Sequence, residues 1–164
     1  MLRKVDFVDI TLTQLSDFIS SLTMNERKYY PVPLVDVLAY SIYIRGYWDN
    51  DVLLGVGGVT HRYLFAFGQY PIVKEEYWGK GWGTKILGDA IAWIRNNNIP
   101  FTIFQYDSNN GASRRMHEKL GYNNDYRIGK HWVYNYVPFC WWARLLTPVM
   151  KLFIYVFHVT HKRG

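Results

Sequence analysis

At 164 residues, with 49% hydrophobic and 18% aromatic content, the chain has the makings of one globular domain and not of a disordered segment. Its formal charge of +6 is unevenly spread: residues 140–164 hold four basic residues and no acid, leaving 15 bases against 13 acids in residues 1–139. A near-balanced core lacks the basic stripe of a nucleic-acid surface, and a lone cysteine, Cys140, excludes an internal disulfide or a cysteine-rich metal site.

Lys4 to Ile10 reads as a first strand, and Leu15, Phe18, Ile19 and Leu22 mark an amphipathic helix after it. Pro31 and Pro33 break the chain, and a second short helix is expected over Leu34 to Tyr40. Ser41 to Trp48 and Val52 to Thr60 form two strands joined by Asp49-Asn50-Asp51, a hairpin-turn composition. Gly55, Gly57 and Gly58 inside the second strand predict a bulge or the close approach of a bulky neighbour. Tyr63 to Val73 is rich in aromatic and β-branched residues and reads as the next strand.

Then comes Tyr77-Trp78-Gly79-Lys80-Gly81-Trp82-Gly83-Thr84, and a helical stripe of Ile86, Leu87, Ala90, Ile91 and Ile94. Glycines at alternate positions allow a tight turn with exposed N–H groups, and the helix N-terminus behind them adds positive dipole. That combination suits a phosphate. The spacing fits neither a Walker loop nor a dinucleotide fingerprint. The helix fades in Asn96-Asn97-Asn98, Pro100 closes it, and Phe101 to Tyr106 is a short buried strand. Residues 107–122 read as a loop, a helix capped by Asn109 or Asn110, and a glycine stop at Gly121. Tyr126 to Gly129 and His131 to Phe139 supply the last strands. Periodicity alone therefore predicts a mixed α/β domain.

Two of these segments together resemble the GCN5-related N-acetyltransferase (GNAT) superfamily. Its acyl-CoA loop commonly reads Val-x-Pro-x-Tyr-Arg-Gly-x-Gly-x-Gly, against Val73-Lys-Glu-Glu-Tyr77-Trp78-Gly79-Lys-Gly81-Trp-Gly83 here. Its later motif is matched by Asn110, Ser113, His117, Glu118, Lys119, Gly121 and Tyr122. This chain departs at Trp78, where Arg or Gln is usual, and at Glu75, where proline is common. The resemblance covers residues 3–139 and implies a mixed sheet flanked by helices, in the order β-α-α-β-β-β-α-β-α-β-β.

It also implies acetyl-CoA as cosubstrate and an amine acceptor on a small molecule or a protein. Main-chain groups near Ile72 and Val73 would pair with the pantetheine arm. The N–H groups of Gly79, Gly81, Trp82, Gly83 and Thr84 would cradle the pyrophosphate, with Lys80 and Lys85 adding attraction. Asn110 and Ser113 fall beside the arm. His117 stands where the family usually has the Tyr that protonates the leaving thiolate, and an imidazole with a pKa near ~6.5 can do that work. Glu75, Glu76, Asp107 and His61 are candidate bases, with a water chain as the alternative. Tyr43, Tyr47, Trp48, Tyr63 and Trp132 are candidates for an acceptor pocket. The rival readings are a non-catalytic acyl-CoA-binding module of the same fold and an acyltransferase acting on a membrane-associated amine.

Residues 140–164 form an apolar, basic extension beyond a domain spanning 1–139. Thr147-Pro148 is a helix-start signature. Arg144, Lys151 and Pro148 argue against a membrane span, and packing on the domain or in a homodimer is favoured over a peripheral membrane contact. The N-terminal residues lack an apolar run, so no secretory leader is expected, and a reducing, cytoplasmic compartment fits.

Overall fold

The structure, a computed structural model, describes residues 6–29, 41–62, 65–122, 125–128 and 130–161. The elements are β1 (Asp6–Val8), α1 (Leu12–Ser21), α2 (Met24–Tyr29), β2 (Ser41–Asp49), β3 (Val52–Arg62) and β4 (Phe65–Val73). After a single 3-10 turn, Glu75–Tyr77, come α3 (Trp82–Asn96), β5 (Phe101–Asp107), α4 (Gly111–Lys119), β6 (Asp125–Ile128) and β7 (Trp132–Pro138). Two further helices, α5 (Trp141–Leu145) and α6 (Thr147–His161), form the extension. The strands make one mixed seven-stranded sheet in the order β1-β2-β3-β4-β5-β7-β6, flanked by helices.

Local chemistry explains most of these boundaries. Thr11 and Gln14 form a reciprocal capping box that starts α1, and its apolar stripe buries Leu15 and Phe18 against Ile44 and Val56 of the sheet. The hairpin between β2 and β3 turns through Asn50 at φ 51°, a left-handed conformation that asparagine tolerates. On α3, Ile86 packs with Tyr47, Leu54 and Val73, while Ala90 and Ile94 pack with Tyr43, Val59 and Ala66. Gly57 leaves the space that the Ile86 side chain takes, and a Cβ on Gly55 would meet the Ile72 carbonyl at 2.8 Å. The β3–β4 register also shifts between Val56 and Gly58. Both a bulge and a bulky neighbour are present.

The segment Leu34 to Tyr40, expected to be helical, lies outside the described residues, as does Tyr63. Helix α2, at Met24–Tyr29, is not expected from the sequence: its six residues carry no apolar stripe. Its start is fixed by a second capping box. Thr23 Oγ1 accepts from the Glu26 N–H at 3.2 Å, and Glu26 Oε2 accepts from the Thr23 N–H at 2.6 Å. In the extension, Ala143, Met150 and Ile154 are buried with Phe101, Ile103, Ile128, Tyr134 and Tyr136 at the β5-β7-β6 end of the sheet. The Tyr136 hydroxyl donates to the Ala143 carbonyl at 2.6 Å, and burial pushes that phenol up to about 12.

Candidate active site

β4 and β5 are parallel neighbours that, among the described residues, pair only at Ala66–Thr102 and Phe67–Ile103. Pairing stops there, so the later parts of both strands bound a gap in the middle of the sheet. The glycine turn and the first turns of α3 and α4 close around one end of it. Gly79 and Gly81 sit at φ 76° and 88°, left-handed values that strain any L side chain, and a Cβ at either would meet nothing within 4 Å. The turn thus curls its backbone toward open space. Gly81 is the N-cap of α3 and supplies no side-chain cap, so Trp82, Gly83 and Thr84 present the first-turn N–H groups that helix geometry leaves without an i−4 carbonyl. Gly83 has a different reason to be glycine: a Cβ there would come 2.5 Å from Met116 Sδ, so it lets α4 lie close to α3.

The resulting cleft has a volume of about 460 Å³ and brings together Val73, Gly79, Gly81, Trp82, Gly83, Thr84, Asn110 and Ser113. Asn110 caps α4, its side-chain oxygen accepting from the Ser113 N–H at 3.0 Å. Ile72 and Lys80 do not line the cleft: Ile72 packs against the α1 cluster, and Lys80 lies over the Tyr77 ring at 5.0 Å. Lys85 is held by Asp89 at 3.1 Å. Sequence reasoning missed Arg115 and took Lys119 only as a motif match; both line the cleft, one helical turn apart on α4. Their four-residue spacing was the available signal.

The proton-transfer candidates lie elsewhere. None of the described residues lining the cleft is Asp, Glu or His. His117 is 5% exposed, stacked on Tyr106 with ring centroids 4.9 Å apart and edge-on to Phe104 at 5.2 Å. Its Nδ1 is 2.7 Å from the Ser113 carbonyl, an acceptor, so Nδ1–H is the donor. A neutral ring in this tautomer carries no proton on Nε2. Glu76 is exposed outside the cleft, and Asp107 accepts from the Asn109 N–H at 2.8 Å in an Asx turn. His61 falls on β3, in register with Ala66. Tyr43 is stacked on Trp93 in the core, Tyr47 donates to Asp89, Trp48 donates to the Asp9 carbonyl, and Trp132 packs beneath the extension.

Both departures from the family motif find a structural partner. The Trp78 indole donates to the Val73 carbonyl at 2.7 Å and so braces the end of β4 against the turn. The Glu75 N–H donates to Glu26 Oε1 at 2.6 Å, a bond that proline at this position has no hydrogen to make. Asn25 Nδ2 donates to Glu75 Oε1 at 2.7 Å. Glu26, 3% exposed, therefore ties α2 to the start of the glycine turn. Burial works to raise its carboxyl; the backbone N–H groups of Thr23 and Glu75 outweigh it and hold the group below the ordinary range.

A split parallel pair with a glycine turn and a helix N-terminus at its mouth defines a class of fold built to hold a phosphorylated, extended ligand between two strands. The family model for GNAT acetyltransferases matches residues 14–122, and the chain belongs to that family. It is similar in structure to the Bacillus subtilis acetyltransferase in complex with CoA, at TM-score 0.61 and 17% identity, over 76% of this chain and 93% of that one. It is likewise similar to the ribosomal-protein-S18-alanine N-acetyltransferase of Escherichia coli, at TM-score 0.61 and 13% identity, over 81% of this chain and 92% of that one. A third likeness is to a GNAT family acetyltransferase from Elizabethkingia anophelis with acetyl-CoA bound, at TM-score 0.56 and 12% identity, over 68% and 86% of the two chains. At these identities the likeness is one of fold. No curated protein matches the chain in sequence.

Proposed function

We propose that the protein transfers an acetyl group from acetyl-CoA directly to a primary amine of a small molecule or a protein. The observation that carries this reading is the cleft itself. Two left-handed glycines, an uncapped helix N-terminus and two α4 cations face one gap between β4 and β5. The residues fit the cosubstrate: the pyrophosphate goes to the N–H groups of Gly79, Gly81, Trp82, Gly83 and Thr84, and Arg115 and Lys119 add positive charge beside it.

Acetyl-CoA supplies a thioester whose acyl carbon is open to a neutral amine. This chain's residues orient it. Main-chain groups of Val73 would hold the arm along β4, with the Trp78 indole competing for its carbonyl; Ile72, outside the cleft lining, would take part through its backbone alone. Asn110 and Ser113 bound the arm from α4. His117 acts as a positioning residue, its ring wedged between α4 and β5. Its Nδ1–H is spent on the Ser113 carbonyl and its ring on Tyr106, and it does not line the described cleft. Proton exchange with the amine and the thiolate then falls to water in the cleft.

One observation favours a second reading, an acyl-CoA-binding module without turnover: the described cleft lining contains no Asp, Glu or His. Calorimetric titration with acetyl-CoA, with thiol release followed over a panel of amines, separates the two. Binding with amine-dependent thiol release supports acetyl transfer. Binding without release for any amine supports the module, and no binding refutes both.

A further inference from the structure

The outer face of α5 and α6 lies outside the glycine-turn cleft, whose described lining includes no residue of either helix. On α6, Met150 and Ile154, one helical turn apart, are buried and fix the side that faces the sheet. The opposite side of a surface helix is ordinarily polar. Here Leu152 and Val156 occupy it, with 64 and 50% of their surface exposed, and Val149 and Phe153 lie beside them at 59 and 42%. At about 100° per residue Leu152 and Val156 fall opposite Met150 and Ile154, and Val149 and Phe153 flank them on one side. Trp141, Trp142, Leu145 and Leu146 extend the same character along α5 and its junction, Trp141 being 74% exposed. Apolar patches of this extent mark a surface that is covered in use.

Charge indicates what covers it. Residues 140–164 hold Arg144, Lys151, Lys162 and Arg163 and no acidic residue. A two-fold contact of this face with a second copy would bring these like charges into one interface with no acid from the extension to offset them. A surface of anionic lipid would neutralise them, and tryptophan is at home at that boundary. A second cavity, of about 400 Å³, places Arg95 and Arg144 in one recess with Tyr122, Asn135 and Thr147, and no acidic residue among the described residues lines it. Two guanidinium groups suit phosphate oxygens. No helix among the described residues is long and apolar enough to cross a membrane.

We propose that α5 and α6 dock flat on the surface of an anionic phospholipid membrane, with their apolar side chains in the interface and Arg144 and Lys151 at the headgroup phosphates. The proposal does not depend on the acyl-transfer reading. The full chain is sedimented with vesicles of phosphatidylcholine alone and of an equimolar mixture with phosphatidylglycerol, at low and high salt. The proposal expects at least ~10-fold stronger partition to the anionic vesicles, weakened by salt. Leu152→Glu with Val156→Glu should abolish it while leaving the melting temperature in place, since both side chains point outward. Should that variant fail to fold, Arg144→Glu with Lys151→Glu supplies the same test through charge. Equal partition to both vesicles, none to either, or a folded variant that binds like the parent overturns the proposal. A concentration-dependent dimer without vesicle binding, dissociated by the same substitutions, assigns the face to a second copy and overturns it too.

Discussion

Replacing Glu26 by alanine tests whether α2 and the glycine turn are held together as described. The carboxylate accepts two backbone N–H groups at 2.6 Å each, from Thr23 and Glu75, at a position 3% exposed. Hydrogen bonds to a charged partner contribute about 1.5 kcal/mol or more apiece, so Glu26→Ala is expected to cost about 3 kcal/mol. For a chain of this length that corresponds to a fall of about 6–12 °C in melting temperature at neutral pH. Glu26→Gln should lose a comparable amount, because its amide NH2 must face one of the two donors. The pH dependence follows from the sign of the shift. The folded-state pKa is depressed, so the stabilisation is present in full above the ordinary value of 4.5 and is lost as pH falls through the folded-state value. Melting curves by circular dichroism should therefore show the parent and Glu26→Gln separated at pH 7 and converging in acid. A Glu26→Ala protein melting within about 1 °C of the parent at pH 7 would refute the assignment.

Three further outcomes are expected. Gly81→Glu, which places a carboxylate where the pyrophosphate belongs, should weaken acetyl-CoA by about 100-fold or more, equivalent to roughly 3 kcal/mol. Gly81→Ala, carrying only the backbone strain, should fall between the two when both are measured by calorimetry. If His117 seats α4 on β5, His117→Phe should retain most of the turnover that His117→Ala loses; equal loss in both, with the pH profile altered, would return the proton-donor role to His117. Arg115→Glu with Lys119→Glu should weaken acetyl-CoA and flatten the salt dependence of binding, and an unchanged salt profile would remove these cations from the site.

What could be read in advance was whatever backbone conformation imposes on residue type. Gly79, Gly81 and Gly121 were legible because each occupies a left-handed conformation, and Asn110 because a helix start needs a side-chain acceptor. The stripe on α3 was legible because one of its faces meets the sheet. Helix α2 escaped since MNERKY has no apolar period; its cue was the Thr23-x-x-Glu26 capping box. Burial of His117 was not readable from its motif position, because it depends on Phe104 and Tyr106 brought in from another strand. Helix α6 posed the opposite difficulty. Apolar nearly all round, it offers periodicity no contrast from which to tell the sheet-facing side from the outer one.

The bond between the Glu75 N–H and Glu26 links the histories of two positions about fifty residues apart. A lineage with proline at 75 has no hydrogen to offer there, so an acid at 26 would keep its helix-capping task and lose half its purpose. Descendants of such a lineage should drift at 26 toward neutral cappers, whereas a non-proline residue at 75 should preserve the acid. Residue pairs from related chains would then show an exclusion rather than a preference: proline at 75 and a buried acid at 26 should seldom meet in one protein.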